Sequence, residues 1–450
     1  MIQMTAHDIA TLLNVAFDDN DVHFTGLSID SRSLLPKNLF VAIKGDALDG
    51  HDFITDAYQK GATLALVSTR ANCPIPQIVV PDTTLALGKI AAYWRNQFTP
   101  DIIAVTGSNG KTTVKNMITA ILRAHCQQPN AVLATTGNYN NHWGMPLTLA
   151  KLSNIHRYAV IEMGMNHFGE IDYLTHLATP NVALITNAGP AHLEGVGHSI
   201  AGVAKAKAEI FAGVRANGCA ILNRDDEFYE FWRHTASHLR QLSFGFHQEA
   251  DITASMQISN TVQRLTVTTP EGQEAIELPL LGDHNAMNAL AAIAACIAVN
   301  VPLSAIKTGL ATMLPEKGRL CLTRLPSGTQ LIDDTYNANP ASFTAAINTL
   351  AHFKHPTLLV MGDMKELGED AIKWHDMIGQ TAKNAGISKL FTYGNLSSAA
   401  SKAFGQDAQH FSERDELCAA VKTYCTENTT ILVKGSRSMQ MEKVVHYLID

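Results

Sequence analysis

Residues 102–113 read IIAVTGSNGKTT, an apolar segment followed by a glycine turn, a lysine and two threonines. These residue types alone often mark only a helix start. Directly after an apolar strand they favour a phosphate loop, because backbone N–H groups and the helix N-terminus then face anionic oxygens. The lysine reaches terminal phosphates and the next hydroxyl is a magnesium ligand. The common form has a further glycine where Val105 stands, so this loop is a shortened variant. The predicted nucleotide-binding residues are Gly107, Ser108, Asn109, Gly110, Lys111, Thr112 and Thr113.

The chain has 450 residues and a formal net charge of −7. At about 100–200 residues per domain, this length predicts two to four domains. No basic run is present, so nucleic acid is not an expected partner. The seven cysteines are scattered without a CxxC pair, which indicates a reducing compartment. Since the sequence has neither a leader pattern nor an apolar run of ~20 residues, we expect a cytoplasmic protein without a membrane span. We also expect a monomer.

Strand-like and helix-like segments alternate along the chain. Strands of continuous Val, Ile and Leu character separated by helices are typical of a parallel sheet with helices on both faces. In the last third, new strands each end in Gly, Asp or Asn before a helix, which indicates a second nucleotide-type fold. The pattern predicts an α/β fold of three domains, at residues 1–97, 98–314 and 315–450. Residues 315–318 are expected to form a linker.

Polar residues follow two further strands of the middle segment. Glu162 ends the apolar stretch YAVIE, and His192 and Glu194 follow VALITN. A buried carboxylate needs a charged partner, so magnesium beside a triphosphate is one interpretation of Glu162, and a solvated strand end is the other. For His192, a metal or phosphate contact and a merely structural histidine stay equally open.

Lys205 and Lys207 lie two residues apart on a predicted helix. At ~100° per residue, their side chains point in well-separated directions, so at most one of them faces a site. Two solvated lysines are the default interpretation, and nothing in the surrounding sequence changes it.

In the last third, Asp333 and Asp334 end a strand, and Asn339 precedes Pro340 at a predicted helix start. The paired acids fit ribose hydroxyls, magnesium or a helix cap. The turn at 434–437, sequence KGSR, combines N–H donors with two cations. It fits either a site for a carboxylate or phosphate or a basic helix cap.

Taken together, these motifs resemble the Mur ligase family over essentially the full length. They are TGSNGKTT, EMG, NAGPAHLE, KAEIF, GDHNAMNALAA and GRL, in the family's order. Four stretches resemble the member that adds D-alanyl-D-alanine: TTGNYNNHWGMPLTL at 135–149, DDTYNANPASF at 333–343, GDMKELGE at 362–369 and KGSRSMQME at 434–442. The DNPR signature of the member that adds the third peptide residue is absent from the sequence. DSR at 30–32 and FVAIKGDALDGHDF at 40–53 resemble a UDP-sugar-binding domain.

The resemblance implies an N-terminal UDP-substrate-binding domain, a central P-loop ATPase-type domain and a C-terminal Rossmann-like domain. It also implies a reaction. ATP phosphorylates the terminal carboxylate of UDP-N-acetylmuramoyl-tripeptide, and the amine of D-alanyl-D-alanine attacks the acyl phosphate, giving the pentapeptide precursor of peptidoglycan. Alternatives are the ligase that adds the third peptide residue, a folate polyglutamate synthase, or, in another class, a nucleotide-regulated binding protein or motor.

The resemblance assigns roles to individual residues. The catalytic residues implied are Lys111, Glu162, His192 and Lys207. Two magnesium ions are expected on Thr112, Glu162, His192 and, if it is carbamylated, Lys207. Further ATP contacts are expected from Asn285, Asn288, Arg319 and Asp334. Substrate contacts are expected from Ser31, Arg32, Lys44, Asn138, Asn140, Asn141, Tyr336 and Asn337. Domain closure is expected around hinges near Pro315 and before Asp101.

Overall fold

The computed structural model describes residues 1–45, 47–190, 193–259, 262–315, 317–353, 356–365 and 367–450. The chain divides into two compact units. The first comprises Met1–Ala254, Thr268–Gln273 and Asn288–Gly309, and the second comprises Ser255–Val267, Glu274–Met287 and Leu310–Asp450. Glu316 of the predicted linker and His192 lie outside the described residues.

The N-terminal part of the first unit carries a parallel four-stranded sheet of order β3-β4-β5-β6 and an antiparallel β1–β2 pair. Thr5 and Asp8 form a capping box that starts the first helix. The strands are β1 (Gln3–Thr5), β2 (His23–Thr25), β3 (Leu27–Ser28), β4 (Leu39–Val41), β5 (Leu64–Val67) and β6 (Gln77–Val79), and the helices are α1 (Ala6–Leu13), α2 (Ile54–Gln59) and α3 (Thr83–Arg95).

A parallel six-stranded sheet follows, in the order β12-β11-β10-β7-β9-β8. Its strands are β7 (Asp101–Thr106), β8 (Val132–Ala134), β9 (Tyr158–Glu162), β10 (Val182–Ile185), β11 (Cys219–Asn223) and β12 (Arg240–Phe244). Its helices are α4 (Lys111–Cys126), α5 (Gly144–Leu149), α6 (Glu170–Ala178), α7 (Ile200–Ala208) and α8 (Tyr229–Thr235). The chain builds β8 and β9 on one side of β7, then crosses to build β10. The end of β7 is therefore the switch point where ligands of such sheets bind.

A three-stranded sheet of order β13-β14-β15 and two helices come next along the chain. They are β13 (Thr253–Ser259), β14 (Val262–Thr269), β15 (Gly272–Leu278), α9 (Asp283–Ala298) and α10 (Leu303–Ala311). Helix α9 is buried from Ala289 to Cys296, where its many alanines allow close packing. The extra sheet was not predicted, although QRLTVTT alternates and the turn at 270–271 precedes Gly272, a residue with φ of 133°.

The second unit carries a six-stranded sheet of order β16-β17-β21-β18-β19-β20, in which only β16 is antiparallel. Its strands are β16 (Cys321–Arg324), β17 (Gln330–Asp334), β18 (Thr357–Gly362), β19 (Lys389–Tyr393), β20 (Ala408–Phe411) and β21 (Thr430–Lys434). Its helices are α11 (Pro340–Ala351), α12 (Ala371–Asn384), α13 (Ser398–Phe404), α14 (Arg414–Thr423) and α15 (Glu442–Ile449). Asn339 caps α11, as predicted.

Each face of this sheet packs against its own apolar cluster, which explains why its strands are apolar on both sides. The α/β fold class and the second nucleotide-type fold are therefore confirmed. The domain boundaries 1–97, 98–314 and 315–450 stay a prediction. Among the described residues, no helix is both long and apolar enough to cross a membrane.

Candidate active site

The loop between β7 and α4 has the backbone of a phosphate loop. Gly107 has a φ of 154°, and Gly110, the N-cap of α4, has a φ of 82°. Residues other than glycine rarely adopt these backbone angles. A methyl group at Gly107 would overlap the Thr186 hydroxyl, and one at Gly110 would overlap the Asn288 carboxamide. Glycine is therefore required at both positions, and predicted residue Asn288 lies beside this loop.

The segment after β10 holds the phosphate loop in place. Ser108 N donates to Asn187 O at 3.0 Å, and Asn109 N donates to Asn187 Oδ1 at 2.9 Å. Thr186 Oγ1 donates to Asn109 O at 2.6 Å. The sequence predicts that the backbone N–H groups of Ser108 and Asn109 face phosphate, but in the structure both donate to Asn187. The N–H groups of the first turn of α4 are the ones that a helix leaves free for an anion.

Lys111 folds back over its own loop. Its Nζ donates to Gly107 O at 2.6 Å and to Ser108 O at 3.4 Å. Desolvation lowers the pKa of Lys111, and the negative charge of Glu162 opposes that shift. A bound phosphate would give this buried ammonium the counter-charge that the loop carbonyls supply only in part.

Glu162 ends β9 beside Val105 and is only 1% exposed, so the interpretation as a solvated strand end is wrong. Thr112 Oγ1 donates to its Oε2 at 3.1 Å, and Asn140 Nδ2 donates to its Oε1 at 2.8 Å. A hydroxyl and a carboxylate oxygen beside a phosphate loop fit Mg²⁺, which takes few protein ligands and completes its shell with phosphate and water. Across the described residues, no group of three His, Cys, Asp or Glu could hold a metal by itself.

Lys115 is a site residue that the sequence analysis missed. Its Nζ lies 3.6 Å from Glu162 Oε2, and both side chains are almost fully buried. The signal was present, because Lys115 comes four residues after Lys111 and therefore shares its face of α4.

The two lysines of α7 have different environments. Lys205 is exposed, with Nζ 5.7 Å from the centroid of the Phe168 ring, whereas Lys207 is 3% exposed. The default of two solvated lysines is therefore wrong for Lys207. Desolvation lowers the pKa of Lys207 to about 7, and the charge of Lys111 acts in the same direction. Within the described part of the chain, the Lys207 ammonium has no hydrogen-bond or ion-pair partner.

In the loop at 138–141, which is predicted to contact substrate, two of the three asparagines form hydrogen bonds within the protein. Asn140 binds Glu162, and Asn141 Oδ1 accepts from Trp143 N at 3.2 Å and Gly144 N at 2.8 Å at the start of α5. Asn138 is exposed. Asn141 is exposed as well, so two of this loop's three predicted contacts lie at the surface, and Asn140 is the one that is partly buried.

The predicted substrate residues of the N-terminal part also differ in availability. Ser31 is buried, and Lys44 is exposed. Arg32 is exposed and forms a two-point ion pair with Asp30, with 2.9 Å from Nε to Oδ1 and 2.8 Å from the terminal nitrogen to Oδ2. That guanidinium lowers the pKa of Asp30.

In the second unit, the acid pair and the basic turn are engaged with one another. Lys434 Nζ lies 2.6 Å from Asp334 Oδ2 and donates to Asn337 O at 3.0 Å. Asp334 Oδ1 accepts from Leu320 N at 3.2 Å. Asp333 Oδ1 accepts from Thr335 N at 3.1 Å and from Thr335 Oγ1 at 2.6 Å. Lys434 is therefore paired within the protein, and a carboxylate or phosphate site at the 434–437 turn stays a prediction.

The remaining predicted site residues lie at exposed positions or on a helix, or fall outside the described residues. The Arg319 guanidinium stacks over the Tyr336 ring at 4.5 Å, and Tyr336 and Asn337 are exposed. Asn285 and Asn288 lie on α9 and are both 8% exposed. Glu194 is exposed, and His192 lies outside the described residues.

Three family models match the chain in order. "Mur ligase family, catalytic domain" matches residues 23–95, "Mur ligase middle domain" matches 105–296, and "Mur ligase, glutamate ligase domain" matches 318–437.

Named relatives cover the same length. The UDP-N-acetylmuramoyl-tripeptide–D-alanyl-D-alanine ligase of Escherichia coli (strain K12) is 42% identical, over 100% of this chain and 99% of the relative. The enzyme of that name from Bacillus subtilis (strain 168) is 34% identical over the same shares. The crystal structure I of MurF from Acinetobacter baumannii superimposes with a TM-score of 0.88 at 33% identity, over 100% of this chain and 99% of that one. With its phosphate loop and these full-length matches, the chain belongs to the Mur ligase family.

Proposed function

We propose that this protein joins D-alanyl-D-alanine to UDP-N-acetylmuramoyl-tripeptide at the expense of ATP, giving the pentapeptide precursor of peptidoglycan. The observation that supports this most is the end-to-end match to relatives of that name, at 42% and 34% identity. The geometry agrees, because a phosphate loop lies beside a buried Thr112–Glu162 pair at the switch point of a parallel sheet.

The chemistry requires two negative reactants to meet. A substrate carboxylate oxygen attacks the γ-phosphorus of ATP, the bond to ADP breaks, and an acyl phosphate forms. The neutral amine of D-alanyl-D-alanine then attacks the acyl carbon, loses a proton, and phosphate leaves as the peptide bond closes. Lys111 would neutralise charge on the triphosphate, and the position of its ammonium over the phosphate loop supports this role. Thr112 and Glu162 would hold Mg²⁺, which supplies further positive charge between carboxylate and phosphates.

Lys207 is the residue proposed to become carbamylated. The neutral amine attacks carbon dioxide, an N–C bond forms, and a proton leaves to give an anionic carbamate. The Lys207 pKa of about 7 leaves a large fraction of the amine neutral near neutral pH. The buried Lys207 ammonium also lacks a partner among the described residues. The carbamate would add an oxygen ligand for a second Mg²⁺, for which His192 is also proposed.

The remaining roles are proposed from the family resemblance. Residues 1–97 bind the UDP-sugar, 98–314 bind ATP, and 315–450 take the dipeptide, with closure between them. ATP contacts come from the phosphate loop and from Asn285, Asn288, Arg319 and Asp334. Substrate contacts come from Ser31, Arg32, Lys44, Asn138, Asn140, Asn141, Tyr336 and Asn337. We further propose a cytoplasmic monomer.

A coupled phosphate-release assay with ATP and Mg²⁺ tests the reaction. UDP-N-acetylmuramoyl-tripeptide, carrying either diaminopimelate or lysine, is combined with D-alanyl-D-alanine. The control reactions pair the dipeptide precursor with free diaminopimelate or lysine, and a folate with glutamate. We expect phosphate release only with the tripeptide and D-alanyl-D-alanine together. Release in a control reaction, with none in the proposed one, would assign one of the two related ligase activities instead.

A further inference from the structure

Lys115 is a buried cation to which the proposed reaction assigns no role. It lies on α4, and only 3% of it is exposed. Lysine side chains are seldom fully buried unless they are paired, and Lys115 is paired. Its Nζ lies 3.6 Å from Glu162 Oε2 and donates to Gly137 O at 3.4 Å. It therefore connects the carboxylate beside the phosphate loop with the backbone of the segment 135–141.

That segment contacts Glu162 at further points. Glu162 N donates to Thr135 Oγ1 at 3.0 Å, and Asn140 Nδ2 donates to Glu162 Oε1 at 2.8 Å. The two carboxylate oxygens are thus divided, with Oε1 on the segment and Oε2 shared by Lys115 and Thr112. A change in the segment therefore reaches Thr112 through one carboxylate.

We propose that Lys115 is a positioning residue that couples binding of the UDP-linked peptide at 135–141 to binding of the nucleotide at the phosphate loop. The inference depends on the proposed function, because that proposal is what assigns peptide contacts to Asn138, Asn140 and Asn141. Substrate bound to the segment holds Gly137 O and Asn140 in place, and through Lys115 it holds Glu162 in its orientation toward Thr112. By linkage, nucleotide binding then favours the substrate-binding arrangement of the segment to the same degree.

Calorimetry of ADP with Mg²⁺, in the absence and presence of saturating UDP-N-acetylmuramoyl-tripeptide, measures this coupling. In the unmodified protein we expect the peptide substrate to lower the Kd of ADP by about 5-fold or more. In Lys115→Met, which keeps chain length but removes charge, the ratio should fall to less than about 2-fold. Lys115→Arg should restore it, and Lys89→Met, an exposed lysine on α3, should leave it unchanged.

Hydrogen exchange on the unmodified protein gives a second readout that does not depend on a variant folding. Addition of ADP and Mg²⁺ should slow exchange of the amides at 136–141. Exchange that stays the same, or a Lys115→Met ratio equal to that of the unmodified protein, would overturn the inference. If the unmodified protein releases no phosphate with the proposed substrates, the proposed function has failed instead.

Discussion

Asp334 and Lys434 lie opposite one another on the parallel strands β17 and β21, with 2.6 Å between Oδ2 and Nζ. Lys434 is 3% exposed at its side chain and Asp334 is 12% exposed. Both charges lie at the strand ends of the second unit, where an α/β sheet offers its ligand site. Because Lys434 also donates to Asn337 O, the pair holds the turn at 434–437 to the loop after β17.

Removal of one partner should cost much more than removal of both. Lys434→Met leaves the Asp334 carboxylate buried without its cation, so we expect the free energy of unfolding to fall by about 3–5 kcal/mol. The double variant Asp334→Asn with Lys434→Met should recover most of that loss. A urea titration followed by circular dichroism measures the differences. Lys60→Met, in the exposed pair with Asp56, is the matched control and should change stability by less than about 1 kcal/mol. A double variant that is as destabilised as Lys434→Met, or a Lys434→Met loss no larger than that of Lys60→Met, would contradict this account.

The contrast between this pair and the phosphate loop shows what a sequence can predict. IIAVTGSNGKTT is contiguous, so strand, turn and helix follow from local residue types, and the structure agrees. Asp334 and Lys434 are separated by 100 positions, and their pairing depends on the register of β17 against β21. The sequence showed that each ends a strand, but it did not show that they neutralise each other.

Other site residues divide in the same way. Glu162 was found because it ends an apolar strand, whereas its partner Asn140 comes from a loop whose path the sequence does not fix. Helical periodicity alone could not choose between Lys205 and Lys207 as the lysine that faces a site, and the family resemblance supplied that choice. Lys115 was predictable from its spacing to Lys111.

Gly110→Ala should disrupt the nucleotide site. The residue has a φ of 82°, so alanine is strained by about 1–2 kcal/mol, and its methyl group would overlap the Asn288 carboxamide. We expect the Kd of ADP to rise by about 10-fold or more, since 1.4 kcal/mol corresponds to a factor of ten. Gly386→Ala is the matched control, because its φ is 76° and a methyl group there meets no atom within 4 Å. ADP binding by Gly110→Ala as tight as by the control would refute the assignment.

Lys111→Ala should abolish ATP turnover without unfolding the protein. The change removes the ammonium that lies over the phosphate loop rather than a core side chain. We expect kcat to fall by about 100-fold or more, as for loss of one group that stabilises developing charge. Phosphate release measures the loss, and an unchanged circular dichroism spectrum shows that the fold is retained. Near-normal turnover would exclude a role for this lysine at the triphosphate.

Lys207→Ala should lose activity that short carboxylic acids such as formate or acetate partly restore. The added acid would occupy the space of the side chain and supply the oxygen anion that a carbamate provides. Lys205→Ala should have little effect, because that lysine is exposed. Phosphate release with and without added acid distinguishes the two variants. Rescue of Lys205→Ala rather than Lys207→Ala would mean that the other lysine carries the modification.

The buried amine of Lys207 also predicts how stability depends on pH. Its pKa is lowered from 10.5 to about 7 in the folded state, whereas the unfolded chain keeps the ordinary value. Between these values the unfolded state binds one more proton, so this residue makes the free energy of unfolding rise as the pH increases from about 7. Lys207→Met removes this buried charge. In buffer freed of carbon dioxide, its free energy of unfolding should therefore exceed that of the unmodified protein most below pH 7, and the difference should shrink above pH 7. Urea midpoints of the two proteins, measured across this range, test the sign. A constant difference between them would show that Lys207 titrates as an ordinary lysine, and the chemical basis for its reaction with carbon dioxide near neutral pH would be lost.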